Sequence, residues 1–360
     1  MAAIVIIGPM GCTAAMLSPI EVSRIDKKDM MGILSSLPQQ LILGLESGAG
    51  SELPPNLRRI FVVGMGGSAI AGDVFAAWTI DRRATDIEVV RDYRLPAYAG
   101  EGDAVIAISY SGDTEETLSA ASQALRIGCG LVGVSSGGRL AEFCQENRAG
   151  LVSVPKGFPP RGAFGYLFGA VSGLCRDIVM DEPGAEIKKA AASLEIMKGR
   201  LTPSTPLTRN RAKGIALRIQ GKTPIIYGSM AYAPIARRWQ TEFNENAKTL
   251  AWASCFPEAD HNEIEAWGGS RMAGRFLPIF LRDRDETEEL SRRLDATRAI
   301  IGKRAKPIEV ESEGESLLTR MLGTLLLGDL ASVYLAVLRR VDPYPVVSID
   351  ALKARLRSRG

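Results

Sequence analysis

The sequence predicts an α/β protein made of two copies of one domain, each a mostly parallel sheet flanked by helices. Three observations carry that expectation. Short β-rich apolar runs alternate with helix-length segments from Arg59 onward, the alternation restarts after a polar, proline-containing stretch, and 360 residues suffice for about two domains. A hydrophobic content of 46% and a charged content of 24% fit an ordinary globular core.

Element by element, residues 60–63 (Ile-Phe-Val-Val) read as a buried strand that runs into Gly64-Met-Gly66-Gly67-Ser68 and a helix over 69–79. Strands over 87–90 and 104–108 follow. The second of these leads into Ser109-Tyr110-Ser111-Gly112-Asp113-Thr114 and a helix over 115–127. Strands over 130–134 and 151–154 complete the sheet, and a helical run closes a first domain expected over 25–195. A linker is expected over 196–213, where Thr202-Pro-Ser-Thr-Pro206 is polar and proline-containing. The second domain, expected over 214–345, opens on a strand at 224–227, Gly228-Ser229 and a helix over 234–245. It continues with a strand at 276–281 followed by Arg282-Asp283-Arg284-Asp285. These pieces echo the first domain's strands and loops in the same order, the mark of two copies of one unit. Leu317–Leu338 carries Arg320 and Asp329 within an apolar run and reads as a buried helix, not a membrane span. Residues 1–24 read as an apolar, unstructured head lacking the basic stretch of a signal peptide, and residues 346–360 as a C-terminal tail.

The net charge of +3 is small, and the basic residues are spread along the chain apart from a short C-terminal tail. That distribution argues against nucleic acid or a membrane surface as partner, so any anionic ligand is expected to be small. Cys12, Cys129, Cys144, Cys175 and Cys255 form no CxxC pair, so neither a zinc site nor a redox motif is indicated. A cytoplasmic protein is expected.

Two loops carry the anion chemistry. Gly64-Met-Gly66-Gly67-Ser68-Ala69 lies between a strand and a helix, where backbone amides and the helix dipole favour a phosphate and glycine permits close approach. The same residues match the dinucleotide pattern Gly64-x-Gly66-x-x-Ala69, with Glu88 as ribose partner, and a ligand-free tight turn is the plainer alternative. The second loop presents Ser109, Tyr110, Ser111 and Thr114 around Gly112, hydroxyls suited to a compact dianion such as a sugar phosphate. At the echoing position the second domain has Arg282, Asp283, Arg284 and Asp285, charges that can pair with each other. An anion site is therefore expected in the first copy only.

The one histidine, His261, sits in the acidic stretch Glu258-Ala-Asp260-His261-Asn262-Glu263-Ile264-Glu265, sixteen residues after Glu245. Histidine is the side chain best suited to exchange protons near neutrality. Against this, a lone histidine is more often a surface or core residue, and Glu245 could be a solvated helix residue paired with Lys248 at i,i+3. A non-catalytic sugar-phosphate sensor and an NAD(P)-dependent oxidoreductase stand as alternatives.

The two loops resemble those of the sugar isomerase (SIS) fold, and later segments narrow the likeness. Pro155-Lys-Gly-Phe-Pro-Pro160-Arg161-Gly162-Ala163, then Asn244-Glu245-Asn246-Ala247-Lys248, then Asp260-His261-Asn262-Glu263, then Asp342-Pro343-Tyr344-Pro345-Val346 to Leu352-Lys353 are similar, in order, to the bifunctional phosphoglucose/phosphomannose isomerases. The resemblance runs from about residue 25 to the C-terminus. It implies two SIS domains and an aldose-ketose isomerase acting on glucose 6-phosphate, fructose 6-phosphate and mannose 6-phosphate without cofactor or metal. By it, Gly66, Gly67, Ser68, Ser109, Ser111 and Thr114 bind the phosphate, Glu245 moves the proton between C2 and C1, and Arg161 steadies the cis-enediolate. It further implies that His261 and Lys353 assist ring opening, with residues 346–360 entering the site and His261 supplied by the other subunit of a homodimer. The family carries a threonine in or near the Asp-Pro-x-Pro-Val stretch, associated with the mannose epimer. Here Tyr344 fills the variable position, so the expectation of phosphomannose activity rests on less.

Overall fold

The computed structural model describes residues 16–178 and 182–357. A five-stranded sheet has the order β2-β1-β3-β4-β5, with β1 Arg59–Val63, β2 Asp86–Val90, β3 Asp103–Ile108, β4 Gly130–Ser135 and β5 Gly150–Ser153. A four-stranded sheet has the order β7-β6-β8-β9, with β6 Thr223–Gly228, β7 Trp252–Cys255, β8 Phe276–Arg282 and β9 Ile308–Glu311. Every pairing is parallel, with Val62 opposite Ile106 in the first sheet and Ile226 opposite Ile279 in the second. The two sheets thus share one topology, in which the strand order reverses between β1 and β3, and again between β6 and β8. In an open parallel sheet that reversal opens a crevice beyond the C-terminal strand ends.

Sequence and structure part at the edges. The strands β7 and β9, Trp-Ala-Ser-Cys and Ile-Glu-Val-Glu, lie on the outer edges of the second sheet and are only partly buried, so they carry no continuous apolar run. The stretch expected as an unstructured head contains the helix Pro19–Ile25, whose Leu17 and Val22 neighbourhood packs into the main core; residues 1–15 lie outside the described residues. The expected linker is likewise shorter, because one helix runs Pro183–Gly199 and another begins at Arg211. The expected tail forms the helix Val347–Arg357.

Two helices organise the interior. Leu317–Leu338 is long and apolar enough to cross a membrane, but its side chains are buried against the helices Pro183–Gly199, Arg211–Ile219 and Ala233–Glu245. Phe164–Leu174 is buried along its length and lies backbone to backbone on Leu37–Ala49. A Cβ at Gly44 or Gly48 would meet the Tyr166 or Ala170 carbonyl oxygen at 2.4 or 2.1 Å. This close packing seats the Pro160–Ala163 turn, and with it Arg161, beside the first sheet's crevice.

Candidate active site

At the first crevice, β1 ends in Gly64-Met-Gly66-Gly67 and feeds the helix Gly66–Trp78, while β3 ends in Ser109–Thr114 and feeds the helix Glu115–Arg126. Neither helix has a side-chain cap, and although the Ser68 amide donates to the Met65 carbonyl, the Gly66 and Gly67 amides and those opening Glu115–Arg126 are left to meet an anion. Gly66 takes φ +51°, which an L side chain disfavours. Gly112 takes φ +79°, and a Cβ there would stand 1.9 Å from the Gly137 carbonyl oxygen. The Ser109 and Thr114 hydroxyls are 2.8 Å apart, and the Asp113 amide donates to Ser111 Oγ at 3.3 Å. Ser68 and Ser109 are buried and Ser111 is exposed.

Arg161 is the hub of the second half of the site. Its guanidinium is only 2% exposed, and almost all of its donors are used. Nε donates to Asn246 Oδ1 at 2.6 Å, and Nη2 donates to the Pro343 and Tyr344 carbonyls at 2.7 and 2.8 Å. That leaves Nη1, which meets Glu245 Oε2 at 3.3 Å. The fixed fork of the guanidinium therefore presents one edge to the carboxylate and to whatever lies beside it. Glu245 is the last residue of Ala233–Glu245, and its side chain is 28% exposed, open to a cleft of about 510 Å³ lined by Asn244, Lys248, Pro345 and Val346. The Gly64–Ser68 loop abuts this arginine directly, since a Cβ on Gly67 would sit 3.5 Å from Arg161 Cα.

Beneath Arg161 lies a buried polar layer that sequence reasoning missed. Arg238 grips Asp329 in a two-pronged pair at 2.9 and 2.8 Å and donates to the Arg161 carbonyl at 2.7 Å. Burial works against the Arg238 cation, but Asp329 and Glu242 outweigh it and hold its pKa further up. Arg238 Nη1 stands 2.9 Å from Glu242 Oε1 yet is misaligned for a hydrogen bond, so that contact is an ion pair alone. Burial accordingly pushes Glu242 up, against the pull of Arg238. Asn246 donates to both Glu242 Oε2 and Ser332 Oγ at 2.8 Å, which turns its carbonyl toward Arg161. One signal was available. Asp329 is a carboxylate in an otherwise apolar buried helix and so required a cationic partner.

Lys248 also differs from the sequence reading. The i,i+3 ion pair with the Glu245 side chain does not form; Nζ instead donates to the Glu245 backbone carbonyl at 2.6 Å and the Pro343 carbonyl at 3.2 Å. Burial and the nearby Arg161 push its ammonium down to about 8, opposed by Asp342 and Glu245.

The other two expected residues are not bonded to Glu245 or Arg161 within the single chain. His261 is exposed at the end of the turn Glu258–His261, with no hydrogen bond to Glu245 or Arg161 among the described residues. Its acidic neighbours are structural: Asp260 accepts from Thr297 Oγ1 at 2.6 Å, and Glu263 accepts from Tyr227 Oη at 2.7 Å and from Ser254 Oγ. Lys353 is exposed on Val347–Arg357 and likewise makes no hydrogen bond to them. Cys129, Cys144, Cys175 and Cys255 are free thiols.

The SIS domain model matches residues 56–144, and the model described as the bacterial phospho-glucose isomerase C-terminal SIS domain matches residues 208–356. The chain is 35% identical over 328 residues to a bifunctional phosphoglucose/phosphomannose isomerase of Caldicellulosiruptor bescii, covering 89% of this chain and 97% of that one. The chain belongs to that isomerase family. Both sheets are thus SIS domains, which accounts for the echo between them. Sequence likeness in this family reaches a second chemistry. A D-glucosamine-6-phosphate 4-epimerase of Sulfolobus acidocaldarius is 33% identical over 279 residues, covering 77% of this chain and 82% of that one. Among solved structures, a hypothetical protein from Thermus thermophilus aligns with a TM-score of 0.77 at 15% identity, covering 97% of this chain and 95% of that one. That likeness speaks for the fold.

Proposed function

We propose that this protein interconverts glucose 6-phosphate and fructose 6-phosphate, and mannose 6-phosphate with fructose 6-phosphate, by moving one proton between C1 and C2 of the open-chain sugar. The observation that carries this reading is the pairing of a cleft-facing carboxylate, Glu245, with a buried arginine whose one uncommitted edge points at it, 3.3 Å away. An α-proton of a sugar aldehyde needs a positioned base, and the oxygen that gains charge as it leaves needs a fixed cation.

In this reading the phosphate is held by the Gly66, Gly67 and Ser68 loop together with Ser109, Ser111 and Thr114. Glu245 takes the C2 proton of the aldose, the electron pair forms the C1–C2 double bond of a cis-enediolate, and Arg161 carries the negative charge on oxygen. Returning the proton to C1, with the O2 hydroxyl proton passing to O1, gives the ketose, while returning it to either face of C2 relates the glucose and mannose epimers. His261 and Lys353 open the sugar ring by exchanging protons at O1 and O5, with His261 reaching the site from the partner of a cytoplasmic homodimer. The exposure of His261 within one chain is in keeping with that arrangement.

Coupled assays with glucose 6-phosphate, mannose 6-phosphate and glucosamine 6-phosphate test the reading. Turnover of the first two to fructose 6-phosphate is expected. Epimerisation of the third at C4 without isomerisation of the others would place the chain with its epimerase relative instead.

A further inference from the structure

The helix that carries Glu245 ends in an unusual way. Lys248 adopts φ +50°, a left-handed conformation that glycine takes freely and other residues take at a cost of about 1 kcal/mol. A lysine persists in such a position when its side chain is held by its surroundings. The half-buried ammonium reaches the Glu245 carbonyl at 2.6 Å, the Asn246 carbonyl at 3.4 Å and the Pro343 carbonyl at 3.2 Å. The Pro343 carbonyl is also an acceptor for Arg161 Nη2, at 2.7 Å. One carbonyl on the 342–346 segment is therefore shared by the cation that faces Glu245 and the cation that caps its helix.

We infer that Lys248 is a positioning residue, a cationic clasp that fixes the end of the Glu245 helix and the 342–346 segment to one another and so sets the distance between Glu245 and Arg161. This rests on the isomerase reading only for its effect on turnover; the clasp itself is a statement about structure. Four charged groups face it from the elements packed around it. These are Glu245 from its own helix, Arg161 from the first domain, Asp342 from the 342–346 segment, and Arg339, whose Nη2 donates to the Lys248 carbonyl at 3.5 Å. Burial, and then Arg161, press the ammonium toward losing its proton, against Asp342 and Glu245. Loss of the proton leaves a neutral amine with two donors for three carbonyls, so the clasp loosens as pH rises through about 8.

The test compares Lys248→Met and Lys248→Arg with the wild type across pH 6–10, by steady-state kinetics and by amide hydrogen exchange, the latter expressed as protection relative to intrinsic rates. Lys248→Met is expected to lower kcat roughly 10- to 100-fold with KM changed less than about threefold, because the phosphate loops are untouched and misplacement near the chemistry has that effect. Lys248→Arg, which does not titrate in this range, is expected to keep kcat near neutral pH and lose the alkaline limb near pH 8. In exchange, protection over 342–350 should fall above that pH in the wild type and persist in Lys248→Arg. An alkaline limb unchanged in Lys248→Arg, or Lys248→Met with wild-type kcat and wild-type protection, overturns the clasp. If the wild type turns over neither hexose phosphate, the isomerase reading fails by itself, and the exchange comparison still decides the clasp.

Discussion

The two sheets share one topology and put it to opposite uses. In the first, the helix after the leading strand, Gly66–Trp78, offers its N-terminus to the crevice; in the second, the corresponding helix, Ala233–Glu245, offers its C-terminal residue to the site. The loops explain the switch. Behind β3 stand hydroxyls and an uncapped helix, whereas behind β8 the four loop charges Arg282 to Asp285 all have partners within the protein. Arg282 pairs with Glu286, Asp295 and Glu309 at 2.8, 3.1 and 2.6 Å, and Arg320 pairs with Asp283 and Asp285 at 2.9 and 2.6 Å. The helix that follows is capped by Thr287. A duplicated fold thus leaves hydroxyls and uncapped helices at one crevice and lines the other, which opens onto a cavity of about 700 Å³, with charges that pair with each other.

The largest effect is expected where this division of labour is cut at its catalytic end. Glu245→Gln keeps the shape of the side chain but removes the base. It should lower kcat by about 10²- to 10⁴-fold while binding of a sugar-phosphate inhibitor, measured by calorimetry, stays within a few-fold. Loss of inhibitor affinity comparable to the loss of turnover would show that the second domain also binds the phosphate, and the comparison would break.

Next comes the ion-paired crevice of the second sheet. Arg320→Met strands the buried Asp283 carboxylate without its partner, and a loss of about 3–5 kcal/mol in stability is expected by denaturant titration, with inhibitor affinity retained in the folded fraction. The same site predicts a pH dependence. Although burial opposes it, hydrogen bonds from Arg320 and Tyr232 hold the Asp283 carboxyl below its ordinary 3.8. Stability from this group is therefore fully present above pH 3.8 and lost as pH falls through the lower folded value. Asp283→Asn should be less stable than the wild type at pH 7, and the gap should close in acid below pH 3.8. A gap that widens in acid would reverse the sign and refute the pairing.

Gly112 gives a smaller and mixed effect. Its left-handed φ and its contact with the Gly137 carbonyl mean that Gly112→Ala must push apart the loops after β3 and β4. A loss of about 1–3 kcal/mol is expected. KM should rise about tenfold with kcat nearly kept, one lost hydrogen-bonding arrangement amounting to about 1.4 kcal/mol. A change in kcat alone would mean that the loop does not hold the phosphate.

How much of this was legible in the sequence follows the same divide. The strands β1, β3, β6 and β8 are central and apolar, so periodicity and composition reveal them, and the loops at their ends stand out by residue type. The edge strands β7 and β9 carry too few buried residues to show a pattern. Arg161 and Glu245 were named through ordered motifs, but they lie 84 positions apart in the chain and their meeting could be seen only in three dimensions. The buried layer of Arg238, Glu242, Asn246 and Asp329 was hidden for a related reason. On a helix a charged residue reads as solvated until the partner helix is known, and only Asp329, set in an apolar run, broke that rule visibly.

The smallest expected effect is also the sharpest control on the comparison. Arg284 occupies the position that echoes Ser111, and on sequence alone it is the charge most obviously at odds with an anion loop. In the structure it is largely exposed, 3.7 Å from the exposed carboxylate of Asp285, and its Nη2 donates to the Glu315 carbonyl at 2.9 Å. Arg284→Ser should therefore change stability by less than about 1 kcal/mol and leave the kinetic constants unchanged. It should also fail to create a second phosphate site, detectable as a second binding event in calorimetry. What neutralises the second crevice is the inner pairing of Asp283 with Arg320 and of Arg282 with Glu286, which this substitution leaves intact. A second binding event in Arg284→Ser would mean that a single surface side chain, not the buried ion pairs, separates the two copies.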